Sequence, residues 1–234
     1  MFLTGLKENL TMVKQRIEFA CAKTGRAPGE ITLVAVSKGR TLGQIKEAIA
    51  GGINDIGENR VQETLPQYNA LRIAQNAPRI RWHMVGHLQT NKAKEAVRIF
   101  DLIQSVDSPG IAREINKQAQ RLGKIQDVLI EVKTSDEATK FGLKADEVIE
   151  VIEQIAKFKN INIKGLMTIA PAVDNPGKTR PYFRKLRELR DKISDLRFAI
   201  CDLRILSMGM SDDFEIAIEE GSNMLRLGRA IFGG

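Results

Sequence analysis

Short apolar, β-prone segments alternate with helical segments along almost the whole chain, and this alternation limits the folds available to it. Eight segments have the length and residue content of strands. They are Ile31–Ser37, Ile53–Gly57, Arg81–Val85, Leu102–Val106, Val128–Val132, Ile163–Thr168, Arg204–Ser207 and Met224–Leu227. Several are continuous apolar runs, which are typical of parallel strands covered on both faces. The pattern therefore predicts an α/β protein with a parallel sheet.

The number of strands favours a closed barrel over an open sheet. Eight strand–helix repeats in 234 residues fit a single-domain (β/α)8, TIM-like barrel, whose usual length is about 250 residues. A doubly wound open sheet is the alternative, but no GxGxxG sequence follows the first predicted strand. Because no linker-like stretch interrupts the chain, we expect one domain over residues 1–234, with the barrel in 31–234.

An additional helix is predicted before the first strand, within residues 1–26. Apolar residues recur at steps of three and four from Leu3 to Ala20, so they share one face of a helix. Gly25 follows at a position typical of a helix C-cap. The seven residues after Leu227 are too few for a full eighth helix. We therefore expect the N-terminal helix to pack where that helix would lie.

Composition argues against several classes of protein. No apolar run reaches the roughly 18–20 residues of a membrane span, and the first residues do not follow the order of a signal peptide. Cys21 and Cys201 lie far apart in the sequence, so neither a disulfide framework nor a metal site is expected. Two isolated cysteines instead favour a cytoplasmic location. The net charge of +7 comes from dispersed basic residues, so nucleic-acid binding is not expected either.

Polar residues follow the predicted strands, at the end where a parallel barrel carries its active site. Lys38 follows the first strand, Asn59 the second and His87 the third, while Met167 closes the sixth. By its position alone, Lys38 is a solvated loop lysine, an ion-pair partner or a Schiff-base lysine like that of an aldolase. His87 is either a loop histidine or the neighbour of a ligand, and Met167 is more typical of core packing.

The loops after the last two strands have the features of an anion site. The stretch "SMGMS" contains Ser207, Gly209 and Ser211 and leads into a predicted helix, for which Ser211 is a candidate N-cap. The stretch "LGRAIFGG" adds Gly228, whose backbone can approach a ligand closely, and the cation Arg229. One such loop is an ordinary turn, but two neighbouring loops indicate a phosphate site. A lysine opposite a phosphate site suggests pyridoxal 5′-phosphate (PLP), which has an aldehyde and a phosphate.

Arg226 lies in the last predicted strand between Leu225 and Leu227, so its side chain points to the opposite face from theirs. A charge inside a barrel needs a partner. A buried carboxylate and the pyridine nitrogen of a cofactor are the two candidates.

Seven motifs together resemble one known family. They are "LVAVSKGR", "IGENRVQE", "WHMVGHLQTNK", "SVDS", "KGLMTIAP", "LSMGMSDDFEIAIEEGS" and "LRLGRAIFG", spread between residues 31 and 233. In them the chain resembles the pyridoxal phosphate homeostasis protein family, which is similar in fold to the barrel domain of alanine racemases. The resemblance implies a PLP-binding protein that acts in vitamin B6 and amino-acid homeostasis without appreciable catalysis. PLP and PLP-dependent apo-enzymes are the implied partners, and we expect a monomer.

The resemblance also implies roles for individual residues. Lys38 stands at the family's Schiff-base lysine, which implies a covalent aldimine with PLP there. Ser207, Ser211 and Gly228 match segments that contact the phosphate, and Arg226 matches the arginine near the pyridine nitrogen. The implied cofactor site is completed by Asn59, His87, Met167, Gly209 and Arg229. Family members often have threonine or serine at the position of Arg229, so this chain lacks that hydroxyl contact.

Two other functions stay open at this level. One is a PLP-dependent amino-acid racemase or a related fold-type III enzyme, and the other is a phosphate-binding barrel enzyme without PLP. A racemase needs two acid–base groups on opposite faces of the substrate carbon. In the alanine racemases that the barrel resembles, one of them is a tyrosine from a second domain. Tyr68 and Tyr182 fall in predicted helices away from the strand ends, so no catalytic residue is expected.

Overall fold

Eight parallel strands form a closed barrel in a computed structural model that describes residues 5–72, 79–135, 137, 141–195 and 203–233. The strands are β1 (Thr32–Val36), β2 (Asp55–Glu58), β3 (Arg81–Met84), β4 (Leu102–Val106), β5 (Gln126–Lys133), β6 (Leu143–Lys144), β7 (Ile161–Met167), β8 (Ile205–Ser207) and β9 (Met224–Leu227). The short strand β6 pairs only with the end of β5, and the other eight make up the barrel wall.

The predicted barrel is confirmed. Hydrogen-bonded neighbours follow the order β4-β3-β2-β1-β9-β8-β7-β5, and pairing of β4 with β5 closes the ring. Every one of these pairings is parallel. The observed strands match the eight predicted ones to within two residues at either end. All carboxyl ends of the strands therefore meet at one mouth of the barrel.

Helices alternate with the strands and cover the barrel. They are α1 (Leu6–Thr24), α2 (Leu42–Ala50), α3 (Val61–Arg72), α4 (Ala93–Ile99), α5 (Pro109–Arg121), α6 (Val148–Ile155), α7 (Arg180–Asp195), α8 (Phe214–Glu219) and α9 (Arg229–Phe232). Side-chain caps begin two of them: Thr41 Oγ1 accepts from the N–H of Gln44, and Ser108 Oγ accepts from the N–H of Ile111. No helix in the described ranges is long and apolar enough to cross a membrane.

The helix α1 packs where the eighth outer helix would lie, as predicted. Its buried face contacts α8, α9 and α2. Asn9 Nδ2 donates to the carbonyl of Ile231 at 3.1 Å, which joins α1 to α9. Gly25 ends the helix with a φ of 68°, in the left-handed region. Leu3, which was predicted to belong to this face, and Cys201 lie outside the described residues.

The core has two parts, and the smaller one supports the mouth. The larger part lies between the strands and the helices. Inside the barrel, a separate cluster is made of Val34, Leu102, Leu129, Met167 and Met224. Met167 is fully buried in this cluster, so it serves as core packing.

Candidate functional site

A cavity of about 510 Å³, which we call the mouth cavity, opens at the carboxyl ends of the strands. Six of the ten residues predicted for a cofactor site line it: Lys38, Asn59, Ser211, Arg226, Gly228 and Arg229. They follow or belong to β1, β2, β8 and β9, which are neighbours in the ring. The other four predicted residues lie beneath this cavity or beside it.

Lys38 reaches the cavity from the end of β1. Ser37 is buried and its N–H donates to the carbonyl of Gly57 at 3.0 Å, which extends the pairing of β1 with β2 by one residue. Gly39 then turns the chain with a φ of 71°. Lys38 is exposed, and its ammonium has no ion-pair partner among the described residues. Within that part of the chain, the ion-pair alternative for Lys38 is therefore wrong.

Arg226 lies inside the barrel with 4% of its surface exposed. Its Nη1 donates to Ser207 Oγ and its Nη2 to the carbonyl of Thr168, each at 2.7 Å. Burial lowers the pKa of Arg226 to about 10, so the guanidinium is still a cation at neutral pH. No described carboxylate pairs with it. The two bonds leave further N–H groups of the fork for a ligand in the mouth cavity.

A hydrogen-bonded chain continues from Arg226 through the barrel. Ser207 Oγ donates to Gln104 Oε1 at 2.6 Å, Gln104 Nε2 lies 3.1 Å from His83 Nδ1, and His83 Nε2 lies 2.8 Å from Asp55 Oδ1. We call these five residues the interior chain. Since Asp55 accepts, a proton on His83 Nε2 and a lone pair on His83 Nδ1 give every donor in the chain an acceptor. The lone pairs of Ser207 Oγ then face Arg226.

The carboxylate of Asp55 anchors the far end of the interior chain. Burial raises its pKa, but hydrogen bonds from His83 and Arg81 outweigh burial, and the net pKa is lowered. His83 is buried inside the barrel, with 3% of its surface exposed. Its link to Gln104 was not predicted, although polar residues at inward positions of apolar strands are a usable signal.

The loop between β8 and α8 departs from the prediction at Ser211. The helix α8 begins at Phe214 with Asp213 as its N-cap residue, so the prediction of Ser211 as N-cap is wrong. Gly209 turns the loop with a φ of 95°, and Asp213 Oδ1 accepts from the N–H of Met210 at 2.7 Å. The helix therefore begins only after Asp213. Ser211 Oγ instead accepts from the N–H of Ala230 at 3.1 Å. Its O–H has no acceptor among the described residues, so it can donate into the mouth cavity.

Glycines allow the backbone to approach closely around this loop. A Cβ on Gly209 would lie 2.6 Å from the Cβ of Ala217, so a larger residue does not fit there. A Cβ on Gly228 would lie 3.3 Å from the carbonyl oxygen of Val36, where β9 passes β1. Arg229 forms an exposed ion pair with Asp212, so its charge is partly neutralised at the edge of the cavity.

His87 lines a neighbouring cavity of about 420 Å³, which shares Lys38, Asn59 and Gly86 with the mouth cavity. We call it the side cavity. The imidazole Nδ1 of His87 lies 3.2 Å from Asp107 Oδ2, and the ring stacks on Phe141 with 3.8 Å between centroids. His87 is thus held in place beside the mouth cavity, whereas Met167, Ser207 and Gly209 lie beneath it.

Glu131 in β5 was not predicted as a site residue. It is 5% exposed, and its Oε2 atom has no hydrogen-bond partner in the part of the chain that the structure describes. Burial and the nearby Asp107 raise the pKa of Glu131 to about 7, although Arg226 opposes them. The only signal in the sequence is a carboxylate between apolar residues in "LIEVK". Its charged neighbours Asp107 and Arg226 are both residues of the barrel mouth.

Comparison with known proteins gives consistent matches over almost the whole chain. The profile of the alanine racemase N-terminal domain family matches residues 8–234. A pyridoxal phosphate homeostasis protein from Aquifex aeolicus is 43% identical over 226 residues, which cover 97% of this chain and 96% of that protein. A protein of the same name from Escherichia coli K12 is 34% identical over 234 residues, covering 99% and 97%.

Solved structures agree with these matches. PipY from Synechococcus elongatus PCC7942, solved with PLP bound, is 31% identical, with a TM-score of 0.84 over 98% of this chain and 100% of that one. A crystal structure of an unknown protein from Bifidobacterium adolescentis is 34% identical, with a TM-score of 0.89 over 97% of this chain and 94% of that one. An alanine racemase from Clostridium difficile 630 has a TM-score of 0.75 at 17% identity, over 98% of this chain and 56% of that one. This last likeness concerns the fold alone.

Proposed function

Because this chain belongs to the pyridoxal phosphate homeostasis protein family, we propose that it binds PLP in the mouth cavity and holds it on Lys38. One observation carries the proposal. The unpaired amine of Lys38 and the buried cation Arg226 open on the same cavity of about 510 Å³. When bound, PLP supplies an aldehyde that condenses reversibly with a lysine amine to a Schiff base.

The donors around the mouth cavity fit the chemical groups of PLP. Lys38 supplies the amine, and the remaining N–H groups of Arg226 suit an unprotonated pyridine nitrogen. At the β8–α8 and β9–α9 loops, the free O–H of Ser211, the backbone at Gly228 and the cation Arg229 suit a phosphate dianion. PLP bound to PipY supports the same assignment here, since that protein matches this chain over its whole length.

The proposed role is to hold PLP for vitamin B6 and amino-acid homeostasis, without appreciable catalysis. In this proposal the protein is a cytoplasmic monomer whose partners are PLP and the apo-enzymes that receive it. The positions of the tyrosines support it. Tyr68 packs edge-on against Trp82 with 6.0 Å between ring centroids, and Tyr182 lies in the outer helix α7. Neither side chain lines the mouth cavity.

Reduction with borohydride tests the proposal directly. The PLP-loaded protein is reduced and digested, and peptide mass spectrometry should find a phosphopyridoxyl group on Lys38. Lys38→Ala is the control and should lose both the visible absorption band and the adduct. An adduct found only on Lys92 or Lys94, with Lys38 unmodified, would contradict the assignment.

A further inference from the structure

The side cavity extends the site away from the proposed cofactor position. It lies between the start of α3 and the loop that joins β3 to α4. Lys38, Asn59 and Gly86 belong to both cavities, so a ligand in the side cavity lies directly beside the amine of Lys38. The proposed PLP contacts use the other side of Lys38, towards β8 and β9.

Three cationic side chains line the side cavity, and none of the described residues in its wall is a carboxylate. They are Lys38, Arg60 and Lys92. Lys92 is half-buried and has no ion-pair partner in the described ranges. Arg60 pairs with Glu63 at 2.9 Å, but this pair is exposed and contributes little. Like charges at one cavity repel each other, so an anion that enters it is stabilised by all three.

Neutral donors in the same wall complete the arrangement. The side chains of Asn59, Gln62 and Gln89 carry amide N–H groups. The N–H groups of Val61 and Gln62 belong to the first turn of α3, where no helical carbonyl is available to them. Cations and N–H donors of this kind bind carboxylate and phosphate oxygens. The two carboxylates nearby, Glu63 on Arg60 and Asp107 on His87, are not themselves part of the wall.

We propose that the side cavity is a subsite for a small oxyanion, either the carboxylate of a free α-amino acid or the phosphate of a phosphorylated aldehyde. The carboxyl carbon of an amino acid is two bonds from its amine nitrogen. A carboxylate held by Lys92 and Arg60 therefore brings that amine towards Lys38. The amino-acid source rests on the proposed function, because an amine has a reaction partner there only when PLP is on Lys38. Binding of the anion itself does not depend on the proposed function.

Protection of Lys92 in the apo-protein tests the subsite. Lysines are labelled with a neutral amine-reactive reagent and quantified by peptide mass spectrometry, in inorganic phosphate, acetate or chloride of equal ionic strength. Phosphate or acetate should slow labelling of Lys92 at least fivefold relative to chloride. Lys94 is the internal control, since it lies two positions further on, is exposed and is not in the cavity wall, so its labelling should not change.

The anion that protects identifies the source. Protection by acetate supports an amino-acid carboxylate, protection by phosphate alone supports a phosphorylated aldehyde, and both outcomes support the subsite. Equal labelling of Lys92 in all three salts would overturn it. So would an equal slowing at Lys94, because that would show general screening rather than a site.

A thermal-shift experiment separates this subsite from the proposed phosphate site. It uses Ser211→Asp protein, in which the added carboxylate opposes phosphate at the β8–α8 loop. The anion that protected Lys92 should still raise Tm in this background, since ligands that bind only the folded state stabilise it. Adding Lys92→Gln should abolish the rise, and adding Lys94→Gln should not. A rise that survives Lys92→Gln would overturn the subsite, whatever the fate of PLP binding.

Discussion

Glu131 is a single residue whose burial is costly. The barrel removes its carboxyl from water and leaves Oε2 without a partner among the described residues. Its pKa rises from 4.5 to about 7 as a result. When the carboxyl is ionised, a pKa rise of this size lowers the free energy of unfolding by about 3 kcal/mol. A carboxyl that keeps its proton near neutral pH is also a hydrogen-bond donor next to Arg226 and the mouth.

Glu131→Gln should flatten the pH dependence of stability between about pH 4.5 and 7. In this range the folded protein keeps a proton that the unfolded chain has released, so wild-type stability falls as the pH rises. The amide of the variant cannot ionise. The difference in the free energy of unfolding between variant and wild type should therefore shift in favour of the variant by up to about 3 kcal/mol from pH 4 to pH 8. Urea unfolding across this range measures the difference.

Glu153→Gln is the matched control, because Glu153 is exposed on α6. It should leave the pH profile unchanged. If the stability of Glu131→Gln fell with pH as steeply as that of the wild type, another group would be responsible for the slope.

The second prediction at the scale of residues concerns Ser211. Its O–H should donate to the PLP phosphate, and a bond to a charged group contributes about 1.5–3 kcal/mol. Ser211→Ala should therefore weaken PLP binding by about 10- to 100-fold, and Ser211→Asp should weaken it further by repulsion. Equilibrium absorption titrations measure both, with Ser194→Asp on the outer helix α7 as the control for added charge. Equal affinity for PLP and for pyridoxal without phosphate would contradict this site.

At the scale of elements, the interior chain links five strands of the wall. Asp55 lies on β2, His83 on β3, Gln104 on β4, Ser207 on β8 and Arg226 on β9. Each member needs its neighbour, because a buried polar group that loses its partner costs about 1–3 kcal/mol. The strands therefore hold Arg226 in one orientation, although it has no described counter-ion in contact.

Gln104→Leu should break this chain in the middle. Leucine has a similar size but leaves Ser207 and His83 without their partner, so the apo-protein should lose about 2–4 kcal/mol in urea unfolding. Because Ser207 then loses the acceptor that orients its hydroxyl towards Arg226, the absorption spectrum of bound PLP should also change. Gln120→Leu, at an exposed position of α5, is the control. A Gln104→Leu protein with wild-type stability and an unchanged PLP spectrum would show that the chain does not hold Arg226.

The elements also explain which parts of the site are predictable from sequence. Lys38, Asn59 and Gly228 follow strands, and the ends of parallel strands meet at one mouth whatever their exact register. The partners of Glu131 and Gln104 depend on the register and on the depth of each side chain in the barrel, which no periodic pattern contains. This is why the strands were predicted to within two residues while the interior chain was not.

The error at Ser211 has a similar cause. A serine before a helical segment is a typical N-cap, and local sequence does not reveal that Gly209 and Asp213 form a turn first. The contact between Ser211 and Ala230 joins two loops that are 19 positions apart. Only the closed barrel brings them together.

At the scale of the whole molecule, Lys38 supplies an amine at the mouth of the barrel, but neither tyrosine lies there to act as a second acid–base group. Tyr68 and Tyr182 lie on α3 and α7, on the outside of the barrel. The loss of one acid–base group costs about 10²- to 10⁴-fold in rate. The molecule is therefore expected to bind PLP with little turnover of amino acids.

Incubation with L-alanine in deuterated water tests this expectation. NMR follows exchange of the Cα proton, and chiral chromatography follows racemisation. The PLP-loaded protein should give rates close to those of free PLP at the same concentration. Enzyme-like exchange that disappears in Lys38→Ala would show instead that the protein is a PLP enzyme.

The packing of α1 against α8 and α9 has a consequence for synthesis on the ribosome. Asn9 and Ile231 bond to each other across 222 positions of sequence. At about 5–20 residues per second, the first helix is made roughly 11–44 s before its partner in the last one. During that time its apolar face has α2 as a neighbour but lacks α8 and α9. The nascent chain therefore passes through a long interval in which a chaperone can bind α1, and the native ring is completed only after β9 has been made.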